Sequence, residues 1–328
     1  MQLRRELLAV IEQETARFER AQLARATAEL TERYKREGPG SPAIGSEVHR
    51  AAYLAVRLPA TYAAACHVFR QVHAVASQLE IKSMLDLGAG PGTALLAARA
   101  VFPALERATL LEADVGWLKT GRLLTATLAV ETQWLQHDLR APGDLAPHDL
   151  VVISYALGEL PQAAGESLLR RAWQCATKLL VIVEPGTMRG FAGINAARSW
   201  LLANGANLVG PCPHENACPM AAAGGISGPP GRGDWCHFAQ RVERSSLHRS
   251  LKGGSLGHED EKFSYVAAAR EPVALPQARI VRHPGRHSGH IQLTLCTAEG
   301  IAMRTIAKSR KQTYKEARKA DWGDAWND

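Results

Sequence analysis

The chain contains no apolar run approaching the ~20 residues a membrane-spanning helix needs, which excludes an integral helical membrane protein. Near its start there is no apolar segment leading to a small-residue cleavage site, so no secretory signal is expected. Glu6, Glu12, Glu14 and Glu19 argue against a mitochondrial transit peptide, which would be poor in acids. Cysteine is scarce, six in 328 residues. Without a signal, those thiols read as reduced side chains or metal ligands rather than as a disulfide framework. There is no internal repeat. What remains is ordinary globular material, 46% hydrophobic and 22% charged, which excludes a disordered or fibrous chain. The length suggests roughly two domains.

The net charge of +7 is unevenly spread. His237–Lys319 holds 16 Lys and Arg against 7 Asp and Glu, a balance of +9, and the remainder stands at −2. Six of the twelve histidines also fall there: His237, His248, His258, His283, His287 and His290. Such a basic third suits a polyanionic partner such as RNA, or else is a solvated basic face.

Residues 2–36 have no Gly or Pro and carry apolar residues at helical spacing, so they predict one long helix, broken by Gly38–Pro42. Two further helices are expected over 46–57 and 60–79. From Lys82 the pattern changes to strands alternating with helices. Strands are expected over Lys82–Leu87, Ala108–Glu112, Glu131–Leu135, Leu150–Ser154 and Leu179–Val183, with helices over Thr93–Phe102, Val115–Leu128, Ala163–Ala176 and 188–204. That alternation predicts an α/β fold, a Rossmann-like doubly wound parallel sheet. Residues 205–233, with 7 Gly and 5 Pro, are too rich in turn formers for a regular element. Beyond them, Phe263–Ala269, Arg279–His283, His290–Thr297 and Ile301–Ile306 alternate like strands, and a basic helix is expected over 310–320. The expected domains are a helical region at 1–80, a core at 81–204 and, at 205–328, a Cys-rich loop with the remaining strands and a basic C-terminal extension.

Leu85-Asp-Leu-Gly-Ala-Gly-Pro-Gly92 joins a strand to a helix. Gly88, Gly90 and Gly92 let backbone approach a ligand, and the helix start offers free N–H groups. The turn has neither the Gly-Lys-Ser/Thr of a phosphate loop nor the Gly-x-Gly-x-x-Gly of a pyrophosphate turn. Asp86 at the strand end suits a cationic amino group instead. The stretch resembles motif I of class I S-adenosylmethionine-dependent methyltransferases. Glu112, at the end of the next strand, stands where an acid takes ribose hydroxyls. By the same resemblance, Asp138 stands where an adenine amino group is bound, and Ser154 where cofactor and acceptor meet. Ser154-Tyr-Ala-Leu lacks the Asn/Asp-Pro-Pro-Tyr/Phe of many amino-methyltransferases. Tyr155 could stack on a base and Glu159 accept a proton, but packing and capping account for both better, and no catalytic residue is assigned.

Pro211-Cys-Pro-His214 and Cys218-Pro219 lie in the Gly/Pro-rich stretch, with Cys236 following. Three cysteines on a pliant loop point to metal coordination. The spacing fits no Cys-x-x-Cys zinc ribbon. Zinc could take a fourth ligand from His214 or His237, and an iron–sulfur centre would want a fourth thiolate, for which Cys296 is the distant candidate. A rival reading makes Cys212 a nucleophile, as in some 5-methylcytosine RNA methyltransferases; two companion cysteines favour shared ligation. Cys66 and Cys175 sit in apolar helical contexts and read as core residues.

Asp149–Leu160, Val183–Thr187, Pro211–His214, Asp234–Phe238, Asp260–Tyr265 and Tyr314–Asp324 together resemble the methyltransferase-like assembly factors of the mitochondrial small ribosomal subunit and their bacterial counterparts. The resemblance covers about residues 45–326. It implies a class I methyltransferase fold that binds S-adenosylmethionine, contacts small-subunit rRNA and holds a 4Fe-4S cluster through Cys212, Cys218, Cys236 and Cys296. It also implies that subunit assembly rather than methyl transfer can be the role. A bacterial, cytoplasmic member, monomeric off the ribosome and independent of membranes, is expected. The alternative is a non-catalytic, zinc-stabilised RNA-binding assembly factor with a vestigial cofactor pocket.

Overall fold

The computed structural model describes residues 3–35, 45–221 and 234–327. The helix expected over 2–36 is two helices, α1 (Arg5–Thr15) and α2 (Arg20–Lys35). Thr15 turns its hydroxyl back to the Ile11 carbonyl at 2.8 Å, and the Gln22 side chain accepts from the Glu19 N–H at 3.0 Å, half of a capping box that starts α2. Neither device involves Gly or Pro, so composition gave no sign of the break. The break expected at Gly38–Pro42 lies outside the described residues.

Ser46 caps α3 (Glu47–Val56), and Pro59 sits in the first turn of α4 (Leu58–Val75), where its missing N–H costs nothing. The alternating stretch then follows as β1 (Ser83–Leu87), α5 (Thr93–Val101), β2 (Arg107–Glu112), α6 (Val115–Thr125), β3 (Glu131–Gln136), β4 (His148–Ser154), α7 (Gln162–Cys175), β5 (Ala176–Pro185) and α8 (Met188–Ala203). A short strand, β6 (Asn207–Gly210), occupies part of the stretch expected to hold no regular element. Residues 222–233 of that stretch lie outside the described residues. The C-terminal part adds β7 (Phe238–Glu243), α9 (Ser246–Lys252), β8 (His258–Ala269), β9 (Ala278–Ile280), β10 (Gly285–Arg286), β11 (His290–Thr297), β12 (Gly300–Ala307), α10 (Lys311–Lys319) and β13 (Ala325–Trp326). Of these, β7, α9, β10 and β13 were not anticipated. Among the described residues, no helix is long and apolar enough to cross a membrane.

The chain forms two compact units. The first comprises Met1–Phe69, Glu80–Thr177 and Gln240–Glu261; the second comprises Arg70–Leu79, Lys178–Ala239 and Lys262–Asp328. In the first unit the strands run in the order β3-β2-β1-β4, all parallel, with Asp86 of β1 opposite Leu110 of β2 and Val152 of β4. β1 is buried at every residue, as a strand at the centre of a covered parallel sheet must be. This α/β order places the carboxyl ends of β1, β2, β3 and β4 along one edge, where open sheets of this kind bind ligands. The helical region contributes its own core in the same unit: Leu23, Ala26 and Leu30 pack with Ala51, Ala52, Ala55, Val56 and Leu251 of α9.

In the second unit, β8 runs antiparallel between β5 and β6, pairing Val183 with Tyr265 and Leu208 with Ala268. The sheet that holds β5 is therefore mixed and not purely parallel as expected. The run Phe263–Ala269, buried throughout, needs partners on both edges and finds them in β5 and β6. A second, five-stranded sheet follows the order β10-β11-β9-β13, with β12 also paired to β11, and α10 covers it through Tyr314 and Ala317.

Candidate functional site

The turn after β1 shapes a cavity of about 440 Å³ in the first unit, within the usual range for a small-molecule site. Gly88, Gly90 and Gly92 all have left-handed φ angles, +79°, +52° and +81°. The N–H groups of Gly88 and Ala89 both donate to the Leu111 carbonyl at 3.0 Å, pinning the turn to β2. At Gly88 a Cβ would stand 2.7 Å from that of Ala156, whereas at Gly90 it would meet open space. Gly92 does not line the cavity. It starts α5 and packs on Thr125 and Trp134, which a Cβ there would approach to 3.1–3.2 Å. Of the residues expected to bind cofactor, Asp86, Gly88, Gly90, Glu112, Asp138 and Ser154 all line this one cavity.

Their electrostatics differ. Asp86 is 1% exposed, and among the described residues neither carboxylate oxygen has a hydrogen-bond partner. Burial first, and the charge of Glu112 second, push it up to about 7. Glu112 is held by two backbone donors, Gly90 N–H at 2.8 Å and Asp114 N–H at 2.9 Å. It thereby ties the glycine turn to the start of α6, which Asp114 caps through Trp117 N–H. Asp138 is 42% exposed and gripped by Arg140, whose side chain reaches it at 2.6–3.0 Å and holds it down to about 2.

The cysteines belong to the second unit. Cys212 lies just beyond β6, Cys218 in the turn ahead of Ala221, Cys236 just ahead of β7, and Cys296 within β11. Cys218, Cys236 and Cys296 pack with Met220, Val281, Phe191 and Ile301 in one apolar cluster. Burial raises the thiols of Cys212, Cys236 and Cys296, the last to about 12, and each is raised further by the neighbouring cysteines. The four sulfurs therefore share one neighbourhood. A raised thiol is the opposite of what a nucleophile requires, so the covalent reading of Cys212 loses its footing. His214 Nε2 lies 3.5 Å from Cys296 Sγ, while His237 bonds back to Trp235 O at 3.0 Å. Among the described residues, no three His, Cys, Asp or Glu side chains are gathered as a ready-made metal site, so the expected metal-binding extension is not a preformed ligand cage. Cys66 and Cys175 are core residues, and all six cysteines are free.

A family model described as mitochondrial small ribosomal subunit Rsm22 matches residues 47–327. The chain belongs to the Rsm22 family. It is 27% identical over 323 residues to each of the mitochondrial Rsm22-cox11 tandem proteins 1 and 2 of Schizosaccharomyces pombe, covering 83% of this chain and 42% of theirs. To the mitochondrial ribosome assembly protein METTL17 of Homo sapiens it is 24% identical over 294 residues, covering 83% of this chain and 61% of that one. It thus spans less than two thirds of the length of these relatives. Among solved structures, it aligns with magnesium protoporphyrin IX methyltransferase from Synechocystis PCC 6803 with bound SAM at 12% identity and a TM-score of 0.40, over 74% of this chain and 91% of that one.

The Rsm22-family match includes residues that sequence reasoning missed. Tyr53, Arg57 and Thr61, from α3, the junction after it and α4, line the cavity, and Arg33 of α2, ahead of the matched residues, joins them. Arg57 makes a two-pronged pair with Glu261, 3.0 Å on each side, and Glu261 accepts a hydrogen bond from Tyr155 at 3.3 Å. Tyr155 has a left-handed φ of 57°, a costly conformation for an aromatic residue, and burial holds its phenol well above its ordinary value. Glu261 could have been found, since it sits in the Asp260–Tyr265 motif. Arg57 carried no signal, because no spacing rule links a helix end to an acid 204 residues away.

Proposed function

We propose that this chain binds S-adenosylmethionine in the cavity of its first unit and works on the small ribosomal subunit, in its assembly or on its rRNA. The observation that carries the first part is Asp86, a buried carboxylate that lines a cavity and has no partner among the described residues. Burying such a group is costly unless something answers it, and a ligand's ammonium group would do so. The donor set fits the cofactor. Asp86 would hold the amino group, Glu112 the ribose hydroxyls through lone pairs left over from its two backbone bonds, and Asp138 the adenine amino group. Bound there, the sulfonium would supply an electrophilic methyl group. Tyr155, fixed by Glu261 and Arg57, and Ser154 would form the wall beside it. No side chain is assigned as an acid or base.

The second part draws on membership of the Rsm22 family, on the names of its relatives and on the basic C-terminal third. We further propose that Cys212, Cys218, Cys236 and Cys296 ligate a four-iron cluster. Four soft sulfurs in one neighbourhood with the buried Arg198 and Arg279 suit an anionic thiolate centre, which would fasten the Cys212–Cys218 loop to β11. One observation favours a zinc site instead: the His214 nitrogen beside Cys296 offers a mixed nitrogen–sulfur set.

Anaerobic purification, an absorbance spectrum and iron and zinc analysis separate the two; a colourless protein with one zinc sinks the cluster. Incubation with methyl-labelled cofactor and immature small subunits tests the rest. Label in rRNA supports an enzyme, binding of both partners without label supports an assembly role, and failure to bind the cofactor overturns the first part.

A further inference from the structure

Two guanidinium groups that have left water hold the Cys212–Cys218 loop. Arg198, on α8 and 5% exposed, donates through Nη2 to the carbonyls of His214 at 3.1 Å and Asn216 at 2.7 Å, and it also hydrogen-bonds the Cys212 sulfur. Arg279, on β9 and 1% exposed, donates to the Pro211 carbonyl at 2.8 Å, to Gln71 Oε1 at 2.7 Å and to the Gly323 carbonyl at 3.0 Å. The pairing of β9 with β11 places Arg279 opposite Cys296. Among the described residues, the acceptors of these two arginines are carbonyls, one amide and one sulfur; none is a carboxylate. Arg198 Nε and Arg279 Nη2 have no hydrogen-bond partner among the described residues. Arg282 differs, since it pairs with Asp234.

A guanidinium cannot shed its proton, so both positive charges stay buried. A buried charge is tolerated when an opposite charge lies beside it. The groups placed to supply one are the four cysteines, which as neutral thiols supply none. Four thiolates on a divalent core leave two negative charges, whether that core is zinc or an iron–sulfur cube of the same charge. Three thiolates with a neutral imidazole leave one.

We propose that Arg198 and Arg279 are the built-in counter-charges of a dianionic four-thiolate centre at Cys212, Cys218, Cys236 and Cys296, with His214 outside the ligand set. This rests on reading those cysteines as metal ligands.

The test uses the full chain, purified anaerobically, as wild type, Arg198→Met, Arg198→Lys, Arg279→Met and His214→Ala. Iron and zinc are measured first, and thermal unfolding is then followed with the metal bound and after chelation. Arg198→Met is expected to weaken metal retention roughly 10- to 100-fold. It should lower Tm in the loaded form yet leave Tm unchanged or raised in the metal-free form, where it removes an unanswered charge. Arg198→Lys, which keeps the charge, and His214→Ala should retain the metal. An equal fall in Tm in both forms would reduce the arginine to a clamp on loop carbonyls and overturn the proposal, as would loss of metal in His214→Ala. If Arg279→Met does not fold, Arg198→Met still decides. Absence of both metals from the wild type would overturn the parent reading; metal present and unaffected by Arg198→Met would overturn this proposal alone.

Discussion

The cavity of the first unit and the cysteine neighbourhood of the second both bury charge that, among the described residues, no side chain of opposite sign answers, but the signs and the chemistry differ. Asp86 is an acid in an apolar wall, and it can relieve its burial by taking a proton, which is why it is pushed up to about 7. Arg198 and Arg279 have no such escape. A site whose charge can be quenched by a proton suits a ligand that comes and goes. A site whose charge cannot be quenched suits a resident group that stays with the fold. The proposed exchangeable cationic ligand of the first unit and the proposed permanent anionic centre of the second accord with that difference.

The sharpest way to break the contrast is Cys296→Ser. If the second centre is resident, this change should take iron or zinc content close to zero and lower Tm markedly, because metal binding there is folding energy. Metal retained at wild-type stoichiometry would remove Cys296 from the ligand set.

Next in size is Asp86→Asn. In the unfolded chain Asp86 ionises near 3.8, and in the folded one near 7. Between those values the folded state binds more protons, so stability declines as pH rises through the window. About three units at 1.36 kcal/mol each make the ionised acid cost about 4 kcal/mol above pH 7. Asparagine cannot ionise. It should therefore stabilise the cofactor-free protein by up to about 3 kcal/mol at pH 8 and change little at pH 4, while weakening S-adenosylmethionine at least ~10-fold. Urea unfolding at the two pH values and equilibrium dialysis with labelled cofactor check both signs. A pH profile matching that of the wild type would mean Asp86 is already answered.

Gly88→Ala separates charge from backbone in the same cavity. The new methyl would meet Ala156 Cβ at 2.7 Å, at a φ of +79°. A loss of roughly 1–3 kcal/mol is expected, equal at pH 4 and pH 8. A pH-dependent loss would tie the turn to the ionisation of Asp86 instead.

The sequence disclosed one of these regions better than the other, and the reason is physical. Asp86, Gly88, Gly90, Glu112, Asp138 and Ser154 reach one cavity because each is bound to a strand end, and the period of strands and helices fixes where strand ends fall. Gly92 starts α5 instead of lining the cavity, a difference illegible in one dimension, where a left-handed glycine that starts a helix looks like one that lines a pocket. The wall formed by Arg33, Tyr53 and Arg57 was illegible, since it depends on how helices pack. So was the break between α1 and α2, made by side-chain hydrogen bonds of Thr15 and Gln22. In the second unit, spacing grouped three cysteines, but Cys296 enters through the register of β11, and Arg279 through its pairing opposite. β8 was legible as a strand and not as the partner of β5, because an all-buried run names no neighbour.

The smallest expected effects lie on α10, which carries charge of the ordinary, solvated kind and so serves as a control for both buried sites. Ala317 is buried and Tyr314 packs on the cluster of Ile291, Leu293 and Ile306, leaving Lys311, Lys315 and Arg318 exposed at the spacing of one helix face. Lys311 stands at the helix start, with Lys308 in the short turn just ahead of it and no acid in the first turn, where cations oppose the helix dipole; Arg318 and Lys319 stand at its end, where cations favour it. If the stripe meets RNA phosphates, position along the helix should not matter for binding but should matter for folding. Replacing Lys308 and Lys311 by Gln should raise stability by up to about 1 kcal/mol, and replacing Arg318 and Lys319 should lower it by a similar amount. Either pair should flatten the slope of log affinity against log salt for small-subunit rRNA by roughly 1 to 2. An unchanged slope in both variants would move the RNA contact away from α10, whereas opposite stability shifts with equal slope changes would place the stripe at the phosphate backbone.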